Sequence, residues 1–123
     1  MRKVMAVLLG GLFAGACGSV SARSETVTGQ VIDLYCYSRD SKATGMDHRD
    51  GRECAWACIK WEGQPVGLLT ADGKVYQLAG ALVANNNAKV APHLTHTVTV
   101  TGDVVDRDGI MTISASDLTM AKK

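Results

Sequence analysis

From Glu25 onward the chain alternates β-branched and polar residues. Val27 and Val31 share one parity of residues 25–34 with Gly29 between them, which predicts a first strand with a bend or bulge at the glycine. Alternation returns in residues 96–105, where Val98 and Val100 oppose threonines, and again from Ile110 to Ser114. The turn residues from Asp106 to Gly109 join these two runs as a hairpin. A second hairpin is predicted where residues 65–70 and 74–78 flank Ala71-Asp72-Gly73, because Asp-Gly supplies the backbone that a tight turn between strands needs.

Between the first strand and the Asp72-Gly73 hairpin the pattern changes. Residues 35–52 are polar and charged and read as a long loop, and residues 53–61 hold helix formers with no breaker until Gly63 and Pro65. A short helix is expected there. Residues 82–89, with Asn85, Asn86 and Asn87 in succession, predict a weak helix or an irregular excursion, and residues 119–123 a frayed tail. Five strands in this order predict a mainly β fold. It is a small five-stranded Greek-key barrel of the oligonucleotide/oligosaccharide-binding (OB) type, with one short cysteine-bearing helix inserted between strands 1 and 2. A minimal barrel of this type lacks that helix, so an open β-sandwich or roll is the alternative.

The first residues follow a different logic. Arg2 and Lys3 precede an apolar run from Val4 to Ala16 that is too short for a membrane span, and Val20-Ser21-Ala22 provides a small-x-small cleavage site before Arg23. Residues 1–22 therefore read as a signal peptide and 23–123 as a single domain. A competing signal, residues 1–16, ends at Ala14-Gly15-Ala16-Cys17 and makes Cys17 a lipidation candidate, although Ala14 stands where a larger aliphatic residue is usual. Either choice places the domain outside the cytoplasm, periplasmic or secreted, with membrane contact only through a lipid anchor. With 13 basic and 12 acidic residues in the whole chain, no basic footprint for nucleic acid is present.

Of the 4 cysteines, Cys36, Cys54 and Cys58 fall within the domain, with His48 between the first and the others. Thiolates and imidazole are donors for copper(I) or zinc, and these four residues form a candidate tetrahedral metal set. On a helix, Cys54 and Cys58 share one face. The alternative is a disulfide, permitted outside the cytoplasm, from Cys36 to Cys54 or Cys58 with one thiol left over. A bridge between Cys54 and Cys58 within one helical turn would be strained. A redox or covalent-attachment role is a third option, and haem attachment is disfavoured because C-x-x-C-H is absent. Tyr35, Tyr37, Trp56 and Trp61 cluster around the cysteines in sequence and read as the lid of a small barrel. Asp33, Asp40, Asp47 and Asp50 lack the spacing of a calcium loop and read as a solvated face, while His93 and His96 read as surface residues.

The order Asp33-x-x-Cys36, Cys54-x-x-x-Cys58, Gly67-Leu-Leu-Thr-Ala-Asp-Gly-Lys-Val-Tyr76-x-Leu78 and Thr97-Val-Thr-Val-Thr-Gly102 resembles a group of small exported bacterial proteins of unassigned function. From about Thr26 to Val105 the resemblance implies a compact OB-like barrel with a cysteine-bearing insertion, and it carries over no activity, cofactor or catalytic residue. No serine elbow, phosphate loop or acid–base carboxylate pair appears, so the chain is not read as an enzyme. The expectation is a non-enzymatic exported binding protein, holding copper or zinc through its cysteines. The alternative is an accessory or protein-interaction module, docking on another exported protein, with one disulfide bracing a charged loop.

Overall fold

The computed structural model describes residues 22–44 and 51–121. β1 runs Arg23–Asp33 and leads into α1, Leu34–Arg39; α2, Gly51–Trp56, continues into a π-helical turn, Ala57–Trp61. β2 is Val66–Leu69, β3 Val75–Ala79, β4 Thr97–Arg107, β5 Ile110–Ser114 and β6 Thr119–Met120, with single 3₁₀ turns at Gly80–Val83 and Ala91–His93. Among the described residues no helix is long and apolar enough to cross a membrane.

The strand order β1-β2-β3-β5-β4 closes on itself because β1 also pairs with β4. The β3–β5 pair is parallel and the other ladders are antiparallel, so the chain forms the closed, mixed five-stranded barrel expected of an OB-like fold. β1 serves both neighbours by pairing with β4 from Arg23 to Gln30 and with β2 from Gln30 to Asp33. Gly29 sits at this changeover, and a Cβ there would lie 2.8 Å from the Leu69 carbonyl oxygen, so only glycine lets β2 approach so closely. The alternation read from the sequence sets the faces. Val27, Val31, Val98, Val100 and Val104 point into the core, while the outward threonines pair across β1 and β4, Thr26 with Thr101 and Thr28 with Thr99, each at 2.8 Å.

Three expectations need correction. The stretch from residue 35 is not all loop, because α1 forms there; Asp33 Oδ1 caps it by accepting from the Tyr35 N–H at 3.0 Å. The tail is not wholly frayed, since β6 pairs with Val98 and Thr99 of β4. The helix predicted over residues 53–61 is present, but its second half is wound as a π turn, in which the Glu62 N–H reaches the Ala57 carbonyl at 3.2 Å.

The asparagine triplet explains how that turn is held. Asn85, Asn86 and Asn87 have φ of 56°, 51° and 60°, one left-handed turn, a conformation that asparagine tolerates better than other residues with a Cβ. The turn brings the buried Asn87 side chain against the π segment, where its Nδ2 donates to the Ile59 carbonyl at 2.7 Å and to the Gln64 carbonyl at 3.1 Å. The Ile59 side chain is fully buried in the barrel core. Cys58 is thus fixed by its neighbour on both counts. Replacing Asn87 by alanine leaves buried carbonyls without a donor and a less tolerant residue in the left-handed region. Urea denaturation of the Asn87→Ala variant should show a loss of about 2 kcal/mol or more, and Asn85→Ala, exposed and altering backbone preference alone, about 1 kcal/mol.

Candidate metal centre

Asp33 ends β1, where three successive side chains, Val31, Ile32 and Asp33, are all buried. Its backbone pairs with Val66 of β2, and the next residue, Leu34, donates its N–H to the Pro65 carbonyl at 3.1 Å. The Leu34 side chain then lies over Gly67, where a Cβ would come within 2.6 Å of Leu34 Cδ2. These contacts start α1 directly at the barrel edge. Cys36 follows one turn after the cap, and Arg39 stacks its guanidinium over the Tyr35 ring at 4.4 Å from the centroid.

From the opposite side, the π turn presents Cys58. The Asp33 carboxylate, the Cys36 thiol and the Cys58 thiol each place a ligand atom within 4.8 Å of the others. Asp33 is only 2% exposed. Its Oδ2 is buried with no hydrogen-bond partner, and Asp33 joins no ion pair among the described residues. A buried carboxylate oxygen left without a donor or cation is costly, so this atom is a site for a donor or a positive charge.

All three domain cysteines are free thiols. Cys54, on α2, is exposed and stands outside the three-residue cluster, whereas Cys36 and Cys58 are half-buried within it. The two other candidates, His48 and Cys17, lie outside the described residues, as do Asp47 and Asp50. Asp40 is exposed and accepts from the Lys42 N–H at 3.0 Å, in keeping with a solvated face. Asp33 departs from that expectation, because the end of β1 is covered by α1 and the π turn. His96 is exposed and His93 half-buried, their rings edge-on at 6.1 Å and apart from the cluster. Trp56 packs against the core, while Trp61 is 74% exposed.

Asp33 is the residue of the cluster that sequence reasoning passed over. Two signals could have found it. An Asp directly before a run of helix formers is an N-cap candidate, and Asp33-x-x-Cys36 puts both residues at one helix start. The choice of Cys36 with Cys58, rather than Cys54 with Cys58, carries no comparable signal.

The electrostatics of the cluster are one-sided. Cys36 is pushed from 9.0 up to about 12, first by burial, then by a hydrogen bond to the Asp33 carboxylate and by its charge, and then by the other two cysteines. Cys58 is raised as well, again by burial first, with Asp33 and Cys54 adding to it. The metal-free cluster therefore keeps its thiol protons, and a cation entering it displaces them. For zinc, two thiolates and a carboxylate are ordinary ligands; copper(I) prefers sulfur alone, so the carboxylate shifts the match toward zinc.

A separate groove of about 520 Å³ lies on the outer side of β3, between α1 and the β4–β5 turn. Leu34, Tyr35, Pro65, Val75, Ile110 and Met111 line much of it, and no lining residue is charged.

No family model, curated protein or solved structure matches the chain.

The raised thiols set a pH dependence for the reduced, metal-free protein. Between pH 9 and about 12 the folded chain holds thiol protons that the unfolded chain has released, so this contribution to stability is intact below pH 9 and is lost as pH rises. Thermal midpoints measured with chelator and reductant should fall across that window, and fall less steeply in Cys36→Ala.

Proposed function

We propose that the chain is an exported, non-enzymatic binding protein that holds one zinc ion through Asp33, Cys36 and Cys58. The observation that carries this reading is the buried Asp33 carboxylate, with one oxygen unpartnered, grouped within 4.8 Å with two thiols. Zinc supplies the positive charge that the carboxylate lacks and makes thiolates of Cys36 and Cys58. Copper(I) is the weaker match because one of the three donors is oxygen. The N-terminal signal supports a periplasmic or secreted location, anchored to a membrane where Cys17 carries lipid.

A second reading is favoured by the same proximity. With their sulfurs within 4.8 Å, Cys36 and Cys58 are placed so that a two-electron thiol oxidant of an oxidising compartment, taking both thiol hydrogens, would join them in a disulfide that ties α1 to the π turn. The protein then serves as an accessory module, and the uncharged groove beside α1 becomes the surface that meets another exported protein.

One titration separates the two. Reduced protein handled without oxygen should bind one equivalent of zinc and release close to two protons, measured by calorimetry in buffers of different ionisation enthalpy. Asp33→Asn keeps an oxygen to cap α1 but loses the charge. It should therefore unfold at nearly the same urea concentration while binding zinc at least about tenfold more weakly. Absence of zinc binding beyond that of a Cys36→Ser, Cys58→Ser double variant would sink the zinc reading. A Cys36–Cys58 bridge found by alkylation and mass spectrometry, with stability unaffected by chelator, would favour the module.

A further inference from the structure

We propose that Cys36 and Cys58 form a redox switch within the metal centre: a small oxidant of the hydroperoxide class joins their sulfurs, and the disulfide expels the zinc. This inference rests on the zinc reading of the centre and adds its regulation.

The donor group is Asp33, Cys36 and Cys58, whose ligand atoms lie within 4.8 Å of one another. The two sulfurs that would bind the ion are therefore the same two that are close enough to bridge. Both belong to free, half-buried cysteines, within reach of a small molecule from the surface. Bridging removes two of the three donors in one step, and a single carboxylate is too small a ligand set to keep zinc. Cys54 is exposed and lies outside the group, so the pair is defined without it.

The fold can hold either state. Cys36 rides on α1, whose start is tied to the barrel edge by the Asp33 cap and by the Leu34 N–H to the Pro65 carbonyl. Cys58 rides on the π turn, where Asn87 holds the Ile59 carbonyl and the Gln64 N–H reaches the Cys58 carbonyl at 3.1 Å. None of these ties uses a sulfur, so they persist whether the two sulfurs share an ion or a bond. Barrel closure through β1, β2 and β4 involves neither sulfur. In the oxidation, two thiolates pass two electrons to the O–O bond of hydrogen peroxide. A sulfur–sulfur bond forms, the O–O bond breaks, and with two protons from solvent the peroxide leaves as two waters. Zinc stays divalent and exchanges its sulfur donors for water. Its loss returns Asp33 Oδ2 to the unpartnered state, a cost that re-reduction in the presence of zinc removes. Because zinc binds the reduced form alone, each tenfold rise in free zinc above the dissociation constant raises the midpoint potential of the pair by about 30 mV.

Reduced full-length chain, loaded with one equivalent of zinc and treated with stoichiometric hydrogen peroxide, should release one zinc per Cys36–Cys58 bridge. A zinc-indicating dye reads the metal, and alkylation with mass spectrometry reads the bridge. A phosphine reductant should restore binding, and Cys54→Ser, a change at an exposed residue, should behave in the same way. Zinc retained by the bridged protein, or zinc bound with no bridge formed, would overturn the switch and leave the centre standing. A bridge through Cys54, or loss of release in Cys54→Ser, would overturn the choice of pair. No zinc bound by the reduced chain would overturn the centre as well. The midpoint potential, measured in thiol–disulfide buffers at fixed free zinc, should rise by the increment given above; a value independent of zinc would refute the coupling.

Discussion

β1 is paired on both edges, to β4 along Arg23–Gln30 and to β2 along Gln30–Asp33, and the barrel closes only because one strand can serve both. Without Gly29 the changeover would drive a Cβ into the Leu69 carbonyl. Closure also decides where β1 must stop. At its last residue the strand is still hydrogen-bonded to β2, and the chain has to turn across the barrel edge at once. A helix start is a compact way to do this, provided that something accepts from its first N–H groups, which have no partner within the helix. Asp33 is that acceptor, and its burial follows from its position in the last pair of the β1–β2 ladder.

The same carboxylate therefore serves two structures. One oxygen takes the Tyr35 N–H, a modest and local stabilisation. The other is buried without a hydrogen-bond partner, and the carboxylate adds to the effect of burial in raising Cys36 and Cys58. A neutral acceptor such as serine could cap α1 without that penalty. Retaining a charged residue beside two thiols makes physical sense when a cation completes the group, and the cation makes each of the three groups favourable in its ionised form. The π turn belongs to the same arrangement. Its Ile59 carbonyl accepts from Asn87, which holds the segment that carries Cys58.

Legibility followed the range of the forces involved. Residues that alternate on a barrel wall declare themselves locally, so β5 was read to the residue, and β2, β3 and β4 to within a residue or two at their ends. The helix over residues 53–61 was legible from composition, but its π winding was not; the segment is held by hydrogen bonds from Asn87, distant in sequence. The asparagine triplet was visible as an oddity; its left-handed turn became intelligible only once the carbonyls it serves were placed. α1 was missed because polar residues on a short capped helix resemble a loop. The candidate centre was half legible. Cys36 and Cys58 were named, but Asp33 was assigned to solvent because its burial comes from elements that fold over it from two directions. Among the cysteines, spacing alone favoured Cys54 with Cys58, whereas the fold brings Cys36 against Cys58 and leaves Cys54 exposed.

In the proposed centre a carboxylate and two thiolates from β1, α1 and the π turn bind the same ion. X-ray absorption at the zinc edge, on reduced protein loaded with one equivalent, examines the donors themselves. Zinc–sulfur distances of about 2.3 Å are expected, together with a zinc–oxygen distance of about 2.0–2.2 Å that is lost or altered in Asp33→Asn. A shell of nitrogen and oxygen alone, or one unchanged by that substitution, would contradict it.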